Sequence, residues 1–340
     1  MSIQRRLRAL AAAIVAVIIV VGCAQVAPVE TKETIVFNDL NWASAQVQNR
    51  IAQYIVEKGY GYPTRAVAGP TLPLFESLRR GDSHVTMEIW LPNQRAVWEE
   101  ALAAGQVVAV GESVSGIAQS SFMIPAYIQE SHPELDSVAD LKEEQYRKLF
   151  ATAESGGKAR LVACPSGWAC EAVNATKVES YGLSDHVHVV VPESEAALND
   201  EVFALYAAGE PWLGYLSGDM PAALKLDMVP LAEPAYSDEC WSTTKACTYE
   251  AVTALIAVRP ELLTDAPEVV ALLRKWDFTL ERYKELAVWR LDNEAGIAEA
   301  ALWWLNHNAD VWSQWVTPEA AAAVQAALDA GETAAGWPTE

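Results

Sequence analysis

Four tryptophans stand where the chain turns rather than where helices pack. Trp42 lies in Asn38-Asp39-Leu40-Asn41-Trp42 and Trp90 in Glu88-Ile89-Trp90-Leu91-Pro92-Asn93; Trp168 lies in Cys164-Pro165-Ser166-Gly167-Trp168-Ala169-Cys170, and Trp241 follows Cys240. Strand ends of α/β folds line ligand crevices. Aromatic faces that converge in such a crevice attract quaternary ammonium groups through the ring quadrupole, by about 2 kcal/mol or more once desolvated. A methylated ammonium has no N–H to donate, so ring faces suit it better than carboxylates alone. The excess of 13 Trp over 6 Phe is not all of this kind. Trp276, Trp289, Trp303, Trp304, Trp312 and Trp315 fall at apolar spacing in helical sequence near the carboxy terminus and read as packing. Trp98 sits in a helix and Trp337 in a tail, and neither invites a functional reading.

Chemistry of other kinds is hard to find. There is no G-x-S-x-G elbow, no Walker loop, no G-x-G-x-x-G opening a helix and no H-E-x-x-H, so the chain does not read as an enzyme and no cofactor is expected. Gly156-Gly157-Lys158 lacks both the earlier glycine and the following Ser/Thr of a phosphate loop. His186 and His188 share a strand face, but with no acidic or cysteine partner nearby they read as partly exposed strand residues rather than metal ligands. Of the five cysteines, sequence-local pairing joins Cys164 to Cys170 and Cys240 to Cys247. Zinc is the rival reading, against which the C-x5-C and C-x6-C spacings are wider than the usual C-x2-4-C knuckle.

The elements needed to position these residues follow from periodicity. Strand-like segments at 34–37, 65–68 and 85–90 alternate with helix-like segments at 44–58, 73–80 and 94–104, which Gly59-Tyr60-Gly61, Gly81 and Gly105 close. The rhythm restarts with strands at 122–124, 160–163, 188–191 and 212–216 and helices at 140–150, 169–181 and 193–208. A strand at 252–258 returns to the first set, and helices at 267–291, 294–307 and 318–330 complete the chain. Alternation of this kind predicts largely parallel, covered sheets. The expected organisation is one lobe from 34–115 plus 250–340 and a second from 116–249, with two chain crossings that make a hinge and an interlobe cleft.

The amino terminus and the overall composition place the molecule. Arg5, Arg6 and Arg8 precede the uncharged apolar run Ala9–Val21, which is too short to span a bilayer comfortably. It ends in Val20-Val21-Gly22-Cys23, which resembles a bacterial lipobox: residues 1–22 read as a signal peptide, Cys23 as the lipidated residue and 23–33 as a tether. Cleavage deletes three arginines and no acids, taking the formal charge from -21 to -24 over the remaining 318 residues. That charge excludes a grip on nucleic-acid phosphates and suits solubility outside the cell. An exported compartment also lets disulfides persist. With 51% hydrophobic positions the chain is foldable rather than disordered.

Three motifs, Cys164-Pro-Ser-Gly-Trp-Ala-Cys170-Glu171, Glu88-Ile-Trp-Leu-Pro-Asn93 and Gly209-Glu-Pro-Trp-Leu-Gly-Tyr215, make the chain resemble the substrate-binding proteins of ABC importers for glycine betaine and related quaternary ammonium compounds. The resemblance runs from about Thr34 to Trp315. It implies an α/β, two-lobed periplasmic-binding-protein-like fold of type II. It also implies capture of a quaternary ammonium solute, and delivery to an ABC permease powered by a separate ATPase. Trp90 and Trp168 would wall an aromatic box, and the backbone amides from Trp168 to Cys170 would receive a ligand carboxylate. A disulfide between Cys164 and Cys170 would stiffen that turn, and amides opening a helix favour an anion. The family's third box tryptophan, near a Tyr-Tyr-Trp, is missing; this chain has Tyr215-Leu216-Ser217-Gly218-Asp219. The third wall then falls to Tyr215, to Trp42 or to Trp241, or else the pocket is wider and takes choline, carnitine or proline betaine. Asp219 would supply a countercharge for a cation that lacks its own carboxylate, and Glu88 either does likewise or faces solvent. A sugar or another small molecule held in the same cleft is the alternative occupant. Sequence leaves the exact ligand open, and the membrane would be that of a one- or two-membrane cell.

Overall fold

Among the described residues twelve strands follow one another: β1 (Ile35–Leu40), β2 (Thr64–Gly69), β3 (Val85–Ile89), β4 (Val108–Glu112), β5 (Val114–Ser115), β6 (Ser121–Pro125), β7 (Ala159–Val162), β8 (Val187–Val190), β9 (Gly214–Leu216), β10 (Met228–Pro230), β11 (Leu255–Val258) and β12 (Phe278–Thr279). The structure, a computed structural model, describes residues 32–91, 93–115, 120–251 and 254–339. Cys23, its leader and most of the tether lie outside the described residues.

Two five-stranded sheets result, ordered β2-β1-β3-β11-β4 and β10-β6-β9-β7-β8, while β5 and β12 pair as a small parallel ribbon. Every residue of β1 is buried, as an apolar central strand covered on both faces requires. The parallel expectation holds for β1 with β2 and β3, and for β7 with β8 and β9. It fails for β11, which enters antiparallel between β3 and β4, and for β6, which runs antiparallel to β9 and β10. These exceptions involve the strands next to the chain's passages between the two sheets, where a strand arrives from the other sheet instead of from a local crossover helix.

Helices cover both sheets. The helix Ala43–Tyr60 buries Val47, Ile51, Tyr54 and Ile55 completely and ends at Gly61, whose φ of 69° is left-handed. Its stripe joins β1, β11 and the carboxy-terminal helices in one core containing Phe37, Ile256, Leu272, Trp304 and Val324. A second core gathers Phe122, Leu161, Leu198, Trp212 and Tyr215.

Two helical expectations are corrected. The span 267–291 is two helices, Pro267–Arg274 and Leu280–Asp292, because Phe278 and Thr279 leave the helix to pair with β5 and Thr279 then caps the second helix through Arg282 N. The span 140–150 is a short 3-10 turn, Val138–Lys142, followed by the helix Glu144–Leu149; a capping box between Ser137 and Asp140 starts the turn earlier than apolar spacing indicates.

Candidate functional site

The carboxyl ends of strands from both sheets deliver their aromatic residues to one cavity. Trp42 stands two residues past β1 and Trp90 directly past β3; Trp168 caps the helix Ala169–Ser180 after β7, and Tyr215 lies within β9. All four line the cavity, together with Ala169 and Cys170, the polar residues Thr71, Asn93, Gln94, Ser120 and Ser217, the acids Glu195 and Asp219, and Met220. Its volume is about 60 Å³, several times the roughly 10–15 Å³ that one water needs. Among the described residues, no Lys, Arg or His lines it.

The walls are fixed by hydrogen bonds. Trp42 and Trp168 meet edge to face with centroids 5.0 Å apart. The Trp168 indole donates to Asn41 Oδ1 at 2.9 Å, which ties a wall from the second sheet to the loop after β1. Trp42 and Trp90 both donate to Glu88 Oε2, at 2.7 and 2.8 Å. The Tyr215 hydroxyl donates to Ser120 Oγ at 3.0 Å. The Cys164–Cys170 disulfide closes the turn that presents Trp168. Within it Gly167 has φ 79°, and a Cβ there would meet Pro70 Cβ at 2.9 Å, so glycine meets both the left-handed backbone and the close approach of the opposite side of the cleft.

Three carboxyl groups charge this space. Glu88 is fully buried, Asp219 is 7% exposed and Glu195 8%. Burial, with the Asp219 charge adding, pushes Glu88 up to about 7 against the pull of the two indole donors. Burial pushes Glu195 up to about 8, opposed by the Ala43 amide, which donates to Glu195 Oε2 at 2.8 Å across the cleft. Burial also raises Asp219, opposed by hydrogen bonding from Ser217 at 2.5 Å. Among the described residues no group of three His, Cys, Asp or Glu side chains is arranged to hold a metal ion. Orphan acceptors point the same way: Asn93 Oδ1 and Gln94 Oε1 are buried without a hydrogen-bond partner. Acceptors in excess, ring faces and no resident cation together form a receptacle for positive charge.

Trp241 is not part of it. Its ring packs in the second core against Tyr249 and Tyr236, at 5.2 and 6.0 Å. There it helps surround an internal cation: Lys177 Nζ, fully buried and paired with Glu233 at 2.6 Å, lies 4.7 Å from the Tyr249 ring centroid, 5.7 Å from Tyr181 and 5.9 Å from Trp241. The disulfide Cys240–Cys247 frames that cluster, and Lys177 also donates to the Cys247 carbonyl. Sequence reading missed Glu195, Gln94, Ser120, Thr71 and Met220. Gln94 is the one with a signal, since it directly follows the Trp90 motif. The proposal that Glu88 faces solvent is corrected: no part of it does.

Two α/β sheets sharing an aromatic cleft at their strand ends define a two-lobed binding protein of the periplasmic type. The fold agrees with a solved choline-binding ABC-transporter protein in complex with choline, with TM-score 0.69 and 20% identity over 87% of this chain and 98% of that one. It agrees equally with lactococcal OpuAC closed on glycine betaine, with TM-score 0.66 and 16% identity over 84% and 100%. Residues 33–307 match the family described as the substrate binding domain of ABC-type glycine betaine transport systems, and the chain belongs to that family. Relatives include the glycine betaine-binding periplasmic protein OusX of Dickeya dadantii, 28% identical over 43% of this chain and 44% of the relative. Another is the trimethylamine N-oxide-binding protein of Pelagibacter ubique, 28% identical over 53% and 57%. The chain thus spans about half the length of the curated relatives it matches.

Proposed function

We propose that this chain is the extracytoplasmic solute receptor of an ABC importer, capturing a quaternary ammonium compound such as choline or glycine betaine and handing it to a permease driven by a separate ATPase. It performs no chemistry. The observation that carries the reading is the cavity itself: Trp42, Trp90, Trp168 and Tyr215 around a space lined by Glu195 and Asp219 and by no Lys, Arg or His. A trimethylammonium group seated between those rings would gain cation–π attraction in a dry site and neutralise carboxyl groups that burial otherwise discourages from ionising. The rest of the ligand would lie toward Ala169 and Cys170, at the start of a helix that supplies backbone N–H groups.

Lobes of 34–115 plus 250–340 and of 116–249 would close about a hinge on the solute, since both lobes contribute walls and a ligand shifts a closure equilibrium only through contacts unavailable when open. The proposed address is a lipid anchor at Cys23 with 23–33 as tether, which keeps the receptor beside its permease. A thermal-shift panel on protein lacking residues 1–23 tests the function. Saturating choline, glycine betaine, carnitine or proline betaine is expected to raise the midpoint by roughly 5 °C, and glucose and glycine are expected to leave it unchanged. Equal shifts for all of these ligands would refute the reading.

A further inference from the structure

Two of the aromatic walls hang on a residue that does not itself line the cavity. Glu88 Oε2 accepts from Trp42 and Trp90, and its Oε1 accepts from Gln48 Nε2 at 2.7 Å. The Gln48 carbonyl oxygen is already engaged by the Ser113 hydroxyl at 2.8 Å and the Trp276 indole N–H at 2.9 Å. An indole nitrogen only donates. Trp276 therefore determines which end of the Gln48 amide faces Glu88, and it is the NH2 end. Each of these three partners of Glu88 presents an N–H, so a proton on its carboxyl would break a hydrogen bond already made; only the Ser44 hydroxyl, which also reaches this carboxyl, could turn to accept it.

We propose that Glu88 is a specificity-determining residue: a buried carboxyl group, favoured in its acceptor form by the Trp276–Gln48 relay against the opposing pull of burial, that positions Trp42 and Trp90 and makes the cleft choose a quaternary cation over an uncharged molecule of the same shape. The inference rests on the quaternary ammonium reading of the cleft. An anion that draws on both indole N–H groups polarises the rings toward the cavity and adds to the negative potential of their faces. Behind the rings its charge acts through a low-dielectric layer where screening is weak. Trp168 is the contrast, because its N–H goes to the neutral Asn41 amide and it offers a face without a charge. The titratable groups around Glu88 are Asp219, whose charge opposes its ionisation, and Glu195 further along the cavity, which feels both. With no Lys, Arg or His in the lining, that negative charge awaits a cation.

Choline and 3,3-dimethylbutan-1-ol differ only by nitrogen cation against carbon, so the ratio of their affinities reads the charge effect with shape held constant. Ligand-observed NMR on the wild type and on Glu88→Gln supplies it. The wild type is expected to prefer choline by roughly a hundredfold, and Glu88→Gln to shrink that preference at least roughly tenfold, almost all of it through weaker choline binding. Equal weakening of both ligands would make Glu88 a structural support only and overturn the proposal, as would an unchanged ratio. Should Glu88→Gln not fold, Trp276→Phe carries the test from outside the cavity: it frees the Gln48 amide to turn, so the ratio is expected to drop several-fold, and an intact ratio overturns the relay. Wild-type protein that binds neither ligand would instead defeat the quaternary ammonium reading, and the proposal with it.

Discussion

Trp168 and Trp241 look alike in sequence, each within a short disulfide loop, yet they stand in different surroundings. Trp168 faces the open cavity, whereas Trp241 packs over the buried ammonium of Lys177 and its Glu233 partner. Their substitutions should therefore separate. Trp168→Ala is expected to weaken quaternary ammonium binding by roughly thirtyfold or more, the equivalent of about 2 kcal/mol of desolvated cation–π contact, with little loss of stability because the ring is only half-buried. Trp241→Ala should leave affinity within roughly threefold and lower stability by about 3–5 kcal/mol, as aromatic core truncations do. Calorimetric titration and denaturant melts of the two variants check this, and the reverse pattern would contradict the assignment. Trp90, Trp168, Tyr215 and Trp42 were legible because each lies in, or in the loop after, a recognisable strand. Glu195 was not, because an acid in the first turn after the Ser194 cap has the same signature whether it faces water or reaches across a cleft to the Ala43 amide. Gln94 and Asn93 share that limit: an orphan acceptor is a property of surroundings, not of residue type.

At the scale of elements, the strand-helix rhythm predicted most of the segments and placed the aromatic residues at strand ends. Orientation was harder, since β6 and β11 look no different in sequence from strands that run parallel. The break at Trp276-Asp277-Phe278-Thr279 was hidden because its apolar spacing continues that of the helices on either side, and only pairing with β5 interrupts it. That break has a consequence for the site, for it lets Trp276 turn its indole to Gln48. In the proposed closure, the loop from Cys164 to Cys170 is the element that meets the facing side, at Pro70. Gly167→Ala is expected to leave the fold intact but weaken ligand binding roughly tenfold or more, since a Cβ at φ 79° is strained and would strike Pro70 of the facing side. Small-angle scattering with and without ligand reports the effect, and full ligand-induced compaction in that variant would contradict it.

For the whole molecule, buried carboxyl groups in and beside the cleft make the unliganded state pH-sensitive. Glu88 and Glu195 have folded pKa values raised to about 7 and about 8 from an ordinary 4.5, and Asp219 is raised as well. A raised acid binds its proton more tightly when folded, so its stabilisation is complete below the unfolded pKa and is lost as pH rises through the folded one. Unliganded protein should thus lose thermal stability between about pH 5 and about pH 8. Over the same range the stabilisation by a quaternary cation should grow, because the ligand then meets carboxylates instead of having to displace protons. Glu195→Gln should flatten both slopes, and a ligand-induced shift independent of pH would show that Glu195 and Asp219 do not face the solute. By the same logic the proposed closure would be conditional: ionised carboxyl groups without a countercharge would resist a dry closed form, and an entering cation would relieve them.

The most direct test is isothermal titration of the wild-type protein with choline near pH 7 in two buffers of different ionisation heat. The account predicts saturable one-to-one binding with protons released from the cleft acids as the cation enters. Absence of binding by choline and glycine betaine alike, or choline binding with no proton release, would contradict it.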